Sequence, residues 1–255
     1  MIRLFLCLVL IVTFSGPYKI FGQESQQKFG IFLGGGLSLP IESYGKQDAS
    51  NAAIYANSTQ VKGFAKDKSG FAKTGFNYNL EIKYKLSSSL KLLLITGTYS
   101  NSVETQGMSD YITHISPQIV EEESYRYLYI LPGIGYYYSL NKFNLGLNLF
   151  LGYSITRFPY YKFIFIPFYG NPPMMFAHNG PRPNLEAFTL GTSFSTTYNI
   201  SKRFSLGIDL IYQRANFKYN VSPELIPGGG GANLTFSDIL KMRVVNTGLK
   251  IGYSF

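Results

Sequence analysis

The chain has 255 residues, enough for one large all-β domain or two small ones, and only 15% of them are charged, against roughly 25% in an ordinary soluble domain. Aromatic residues reach 16%, nearly all Tyr and Phe with no Trp, and the formal charge is +9. Mean hydropathy is +0.03 and no later stretch reaches the length of a membrane helix, so the chain does not read as a helical membrane protein. A single cysteine, Cys7, excludes a disulfide framework and a thiolate metal site.

The chain opens "MIRLFLCLVLIVTFSG". Arg3 precedes an apolar run from Leu4 to Phe14, and Ser15, Gly16 and Pro17 follow as a turn. The run is too short to span a bilayer, which needs ~20 residues, and has the size of a secretory core. Residues 1–23 are expected to be a cleaved signal, with the cut near Gly22 and Gln23; the alternative is an N-terminal anchor. Cys7 lies inside the run, too early for a lipid-attachment cysteine. Loss of Arg3 and Lys19 takes the formal charge from +9 to +7. Residues 24–255 are expected to form one domain.

Strict alternation, the mark of strands with two unlike faces, then recurs eight times. The predicted strands are 28–39, 74–86, 90–100, 124–139, 143–158, 185–199, 204–217 and 240–255. The second sets Phe76, Tyr78, Leu80, Ile82, Tyr84 and Leu86 against Asn77, Asn79, Glu81, Lys83 and Lys85. The third holds "LKLLLI", apolar on both faces. In the fourth, Pro132 cannot donate to a ladder and predicts a bulge or bend. The fifth sets Leu145, Leu147, Leu149, Leu151 and Tyr153 against Asn144, Gly146, Asn148, Phe150 and Gly152. The sixth and seventh repeat the pattern from Phe188 and Phe204. In the eighth, Val245, Thr247, Leu249, Ile251, Tyr253 and Phe255 alternate with Asn246, Gly248, Lys250, Gly252 and Ser254.

Connections alternate in length. "SSS" at 87–89, "LNK" at 140–142 and "SKR" at 201–203 are short, and their flanks repeat as "YKLSSSLKL", "YYSLNKFNL" and "YNISKRFSL". The others, roughly 40–73, 101–123, 159–184 and 218–239, are unusually long for a compact soluble domain.

A soluble cup would alternate in the same way with its apolar face inside. Here the polar face is Gly, Ser, Asn and Thr, suited to the crowded interior of an eight-stranded barrel. Aromatics flank the apolar face: Tyr84, Tyr138, Tyr198 and Tyr253 toward the short turns, and Tyr99, Tyr125, Phe158, Tyr160 and Phe217 toward the long loops. Two such belts, with turns short at one end and loops long at the other, match a barrel that faces lipid. The predicted fold is therefore an all-β, eight-stranded antiparallel up-and-down transmembrane β-barrel with short periplasmic turns and long extracellular loops. Unpaired backbone groups cost several kcal/mol each in lipid, so the last strand is expected to close on the first.

The opening "KFGIFLGGGLSL", the tyrosine-flanked turns and the closing "LKIGYSF" resemble the small outer-membrane β-barrel domain proteins of Gram-negative bacteria, including the PorT-like group, and more distantly the OmpA/OmpX-type barrels. The resemblance implies an outer-membrane location and makes Phe255, with Tyr253 two before it, resemble the signal read by the barrel-assembly machinery. It does not imply one function, because such barrels host many.

Buried charges must be paired. Glu81, Lys83, Asp209 and Lys250 share the inward parity, and Glu81, Asp209 and Lys250 each lie five residues from a short-turn landmark: Leu86, Phe204 and Phe255. Asp209 and Lys250 are expected to pair with Glu81 near, as a self-neutralising plug or as a gate. An enzyme would need a base beside a serine; "HIS" at 114–116 offers His114 and Ser116, and His178 is the other histidine, with nothing to position them. No catalysis, metal or cofactor is expected. The basic segment "KGFAKDKSGFAK" at 62–73 reads as a solvated loop or a contact for lipopolysaccharide phosphates, and the apolar "FIFIPFYGNPPMMF" at 163–176 as a partner surface or a cover for the mouth. Gly228 to Gly231 lack the strand-to-helix setting of a phosphate loop. The expected partners are outer-membrane lipid and lipopolysaccharide, the assembly machinery and an envelope protein at the long loops, with no nucleic acid. The expected role is structural, surface-presenting or accessory to an envelope complex; a narrow pore and a lipid A-modifying enzyme are the alternatives.

Overall fold

Alternating sequences bury one face only when every strand finds two neighbours, and here eight strands meet that condition as a closed ring. The structure is a computed structural model that describes residues 28–57, 60–112, 118–157, 159, 161–165, 174–178, 184–221, 224–225 and 236–255. The expected signal at 1–23 lies outside them. The barrel strands are β1 (Phe29–Pro40), β2 (Gly75–Lys85), β3 (Leu90–Asn101), β4 (Tyr125–Leu140), β5 (Phe143–Arg157), β6 (Leu185–Asn199), β7 (Phe204–Val221) and β8 (Phe236–Ser254). They pair antiparallel in chain order, and β1 closes on β8 from Gly30 opposite Ser254 to Pro40 opposite Val244. Phe29 and Phe255 exchange both backbone hydrogen bonds, at 3.1 and 2.9 Å, so the seam runs to the last residue. At its middle Gly36 faces Gly248, and a Cβ on either would meet the other strand's backbone.

The short turns explain their repeated flanks. In the β2–β3 turn the N–H groups of Leu86 and Ser87 both donate to the carbonyl of Leu90, and Ser87 Oγ accepts from Leu90 N–H at 3.1 Å. In the β6–β7 turn Ile200 and Ser201 donate to Phe204, and Ser201 Oγ accepts from Phe204 N–H at 3.0 Å. The β4–β5 turn is tighter and places Asn141 at φ 52°, a left-handed conformation Asn tolerates. Pro132 makes no bulge. Its strand keeps one register with β5 on either side, Ile130 opposite Tyr153 and Gly133 opposite Phe150; the ladder only skips residues 131 and 132.

The long connections carry structure of their own. The first holds helices α1 (Glu42–Gly45) and α2 (Ala49–Ala52) and a hairpin of Ala53–Asn57 with Gln60–Phe64. The second holds helix α3 (Gln106–Ile112). Backbone from the second, third and fourth forms a separate four-stranded sheet, in the order Glu224–Leu225, Met174–His178, Tyr161–Phe165, Gln118–Glu122. The greasy segment at 163–176 therefore contributes sheet strands at its ends; residues 166–173 lie outside the described residues.

The outer wall is apolar. Leu147, Leu149, Leu206, Ile208, Leu249 and Ile251 are all exposed, while Asn148, Ser195, Asp209 and Lys250 between them are buried inside. This is the reverse of a soluble protein and the arrangement of a membrane-spanning barrel. At the short-turn end aromatics form a girdle: Phe29 lies 4.9 Å from Tyr84, Phe143 5.0 Å from Tyr198 and Phe204 5.1 Å from Tyr253.

The expected upper belt needs correction. Tyr99, Tyr125 and Phe217 are buried inside the barrel, and Phe158 and Tyr160 lie outside the described residues. The outward aromatics at that end are Phe76, Tyr78, Tyr153 and Phe188. From Phe143 to Tyr153, and from Tyr198 to Phe188, is a step of ten residues. At ~3.4 Å per residue and a tilt of ~40° it rises about 26 Å, close to the apolar band of such barrels. Above it the pattern changes phase. Arg126, Arg214, Asn216 and Lys218 point outward, and Tyr127, Ala215, Phe217 and Tyr219 point in. There the wall has water outside and a packed core within.

Candidate functional site

Two layers fill the barrel. The lower one is ionic. Lys250 on β8 places Nζ 2.5 Å from Asp209 Oδ1 on β7 and 3.2 Å from Glu81 Oε2 on β2. Glu81 Oε2 also meets Lys83 Nζ at 3.2 Å. The four groups run as a chain, Lys83, Glu81, Lys250, Asp209, with side chains 1–9% exposed. Glycines make room for it. Gly207, opposite Lys250 on β7, faces inward, and a Cβ there would press on the Lys250 stem at 3.2 Å. Phe32 on β1 supplies an aromatic face: Lys83 Nζ sits 4.2 Å and Lys250 Nζ 5.3 Å from its ring centroid. All four sequence-predicted interior charges thus come together. Phe32, Tyr137 and Lys91 join them unforeseen, with Lys91 Nζ 4.1 Å from the Tyr137 ring. Lys91 sits in "LKLLLI", where apolar residues on both faces hide the strand's phase.

The upper layer is aromatic and includes a lid. Tyr99 stacks on Tyr127 at 4.6 Å, Tyr127 meets Phe217 at 5.8 Å, and Tyr99 Oη contacts Met242 Sδ. Tyr44, just after α1 begins, drops into this layer 5.4 Å from Tyr125, and its hydroxyl donates to Asn101 Oδ1 at 3.3 Å. Tyr125 Oη donates to the carbonyl of Gly70 at 2.7 Å. The first long connection is therefore packed into the mouth.

The repeated "GFAK" shows why. Phe64 and Phe71, one from each copy, are buried with their rings 5.5 Å apart. The two lysines part company. Lys73 pairs with Glu104 at 2.6 Å near the surface, whereas Lys66 is buried, its Nζ 4.8 Å from the Phe71 ring centroid. Around Phe64, Lys66 and Phe71 the segment 62–73 is thus packed in place rather than solvated throughout. The carboxylate of Asp238, on β8, receives Lys66 N–H at 2.6 Å and Tyr219 Oη–H at 2.7 Å. Burial lowers the Lys66 pKa from 10.5 to about 7, against the pull of Asp238. The lid was legible only as a repeat; nothing local marks Phe64 and Phe71 as plugs.

Below the ionic layer, a cavity of about 580 Å³ opens between the short turns. Tyr253 and Phe255 lie outside it, with ring centroids 6.2 Å apart, at the end of the closing seam. His114 and Ser116 lie outside the described residues; His178 ends a strand paired with Tyr161. Among the described residues, no group of His, Cys, Asp and Glu has the arrangement of a metal site.

No protein-family model and no curated protein matches the chain. Among solved structures it is similar to Neisserial surface protein A, with 11% identity, TM-score 0.45, and coverage of 89% of this chain and 97% of that one. It is also similar to a major outer membrane protein from Thermus thermophilus, with 10% identity, TM-score 0.44, and coverage of 89% and 98%. The attachment invasion locus protein Ail of Yersinia pestis gives 13%, 0.41, and coverage of 90% and 99%. At these identities the likeness concerns the fold alone.

Proposed function

We propose that the chain is an integral outer-membrane barrel that does not conduct and that acts through its folded long-loop end. The observation that carries this reading is the doubly filled interior: an ionic chain across the lower barrel and a lidded aromatic layer above it. The structured connections support the other half, because a lid and a four-stranded sheet offer a defined surface to an envelope partner. On this reading the short turns are periplasmic and the long loops extracellular. The outward Arg126, Arg157, Arg214 and Lys218, just above the apolar wall, suit lipopolysaccharide phosphates better than the buried Lys66 does. Tyr253 and Phe255, at the seam, serve as the signal for the assembly machinery. The PorT-like resemblance adds an accessory role in an envelope complex.

The test is planar-bilayer recording of the refolded full chain. The expected result is silence at moderate voltage in neutral salt. A reproducible conductance that disappears with removal of the protein would replace this reading by that of a gated pore.

A further inference from the structure

The lipid-facing wall is not evenly filled. A groove of about 560 Å³ crosses it obliquely, from Leu90 and β4 at its lower end to β8 at its upper end. Its floor is the backbone of Gly135, Asn148 and Ser193, which form one cross-strand row of inward parity. Outward residues make the banks: Leu147 beside Phe194 on one side, Leu149 beside Thr192 on the other. Outward rows two residues apart are separated by about 7 Å, and four interstrand steps of ~4.8 Å give a length of about 19 Å from β4 to β8. That is a trough for one hydrocarbon chain, and the short Thr192 keeps its upper bank low.

The groove climbs toward the long loops and ends where Tyr212 lies opposite Val245. Two residues further along the same outward faces, Arg214 stands directly opposite Arg243. Like charges in that position oppose strand pairing, so an anion between them strengthens the ladder. Arg243 is already oriented. Its Nη1 donates to the carbonyls of Met242 at 2.8 Å and Ala215 at 3.0 Å, and to Asn216 Oδ1 at 3.0 Å, which leans the guanidinium across β7. Glu42 offers only a long contact, with its 62% exposed carboxylate 3.7 Å from Arg243 Nε. Arg126 opposite Arg157 repeats the pairing on β4 and β5, but the groove does not lead to it.

We infer that the groove and the Arg214–Arg243 pair form one site for a lipid that carries a phosphomonoester, the acylated anchor of lipopolysaccharide. The phosphate sits between the two guanidiniums and one acyl chain lies along the groove. A phosphomonoester bears a charge of about −1.5 to −2 at neutral pH, which two guanidiniums match better than they match the single charge of a phospholipid diester. The site rests on the reading that the long-loop end is extracellular and that the cations above the wall meet lipopolysaccharide. It adds a defined place, a stoichiometry of one and a seat for the chain.

The experiment is native mass spectrometry of the refolded full chain, released from a nonionic detergent after titration with diphosphoryl hexa-acylated lipid A or with phosphatidylglycerol. The expected result is one lipid A retained per chain, with phosphatidylglycerol retained at least about tenfold less tightly. Arg214→Gln should weaken lipid A about tenfold, by loss of a charge-assisted contact, and Thr192→Phe, which fills the trough with another apolar group, at least about fivefold. Glu42→Gln should tighten it about twofold, since that carboxylate is exposed and screened. Arg126→Gln should leave it unchanged. Retention of the unboiled gel shift shows that each variant is folded. Indifference to both Arg214→Gln and Thr192→Phe would overturn the site, and equal retention of phosphatidylglycerol would overturn it in favour of ordinary lipid contact. Equal loss in Arg126→Gln would overturn it while leaving the ring of cations above the wall as a diffuse contact. No retention of lipid A by the wild type would remove both. None of these outcomes bears on whether the barrel conducts.

Discussion

Lys250 holds the lower layer together, because its ammonium is the link between two carboxylates that would otherwise repel. Removing one partner of a buried ion pair leaves an uncompensated charge and typically costs about 3–5 kcal/mol, whereas replacing both by apolar groups is often nearly neutral. Lys250→Met should therefore destabilise the folded barrel by about that amount in urea unfolding from lipid vesicles. Adding Asp209→Leu should recover at least about half of the loss, since Lys83 still balances Glu81. Equal stability of the wild type and Lys250→Met would show that the chain of ion pairs does nothing for the fold. The cluster itself was legible in the sequence by counting five residues from each short-turn end, a rule that works because the turns lie at one end of the barrel. Phe32 was not, because it occupies an inward position among Gly30, Gly34 and Gly36, and its contacts with Lys83 and Lys250 depend on barrel closure.

At the scale of the strand, closure depends on two glycines meeting across the seam. Gly36→Val would drive a side chain into the backbone of Thr247 and Gly248. Expected is loss of the unboiled gel shift that marks a closed barrel, while Gly107→Ala, whose added methyl meets nothing within 4 Å, keeps it. A normal shift in Gly36→Val would mean that β1 and β8 pair elsewhere. Strand phase and the short-turn ends were readable almost residue by residue, since period-two alternation and three polar turns set them, but β7 runs on to Val221 and β8 begins at Phe236, beyond the expected 217 and 240. The error fell in the upper staves. In "YQRANFKYNV" the alternation continues from Tyr212 to Val221, but apolar residues move from the outward to the inward parity. Reading every aromatic as lipid-facing placed Phe217 outside, when the Arg214, Asn216 and Lys218 beside it already marked that face as wet.

For the molecule as a whole, the lid decides whether the mouth is open. Its buried Lys66 lies near Asp238, Tyr219 and Asp67, and titrates at about 7 when the lid is shut against an ordinary 10.5 when it is open. Below pH ~7 both states hold the proton, and the closed lid bears the whole cost of burying a cation. Between ~7 and ~10.5 the open state binds more protons, so closure strengthens as pH rises, by about 1.4 kcal/mol per unit. Hydrogen exchange of residues 41–73, corrected for intrinsic rates, should therefore show more protection at pH 9 than at pH 6. Lys66→Met should remove the difference; a difference that persists would place the titrating group elsewhere.

The change of phase along the upper strands has one more consequence. A single wall passes from one solvent to the other without a break in its backbone, and only the side-chain parity records the crossing. Slide the barrel inward by a turn of the pleat, and Arg126 and Arg214 enter lipid; slide it outward, and Leu206 and Ile251 meet water. Either movement is opposed. The sequence thus carries its own waterline, and a bilayer of a different thickness has to deform to meet it.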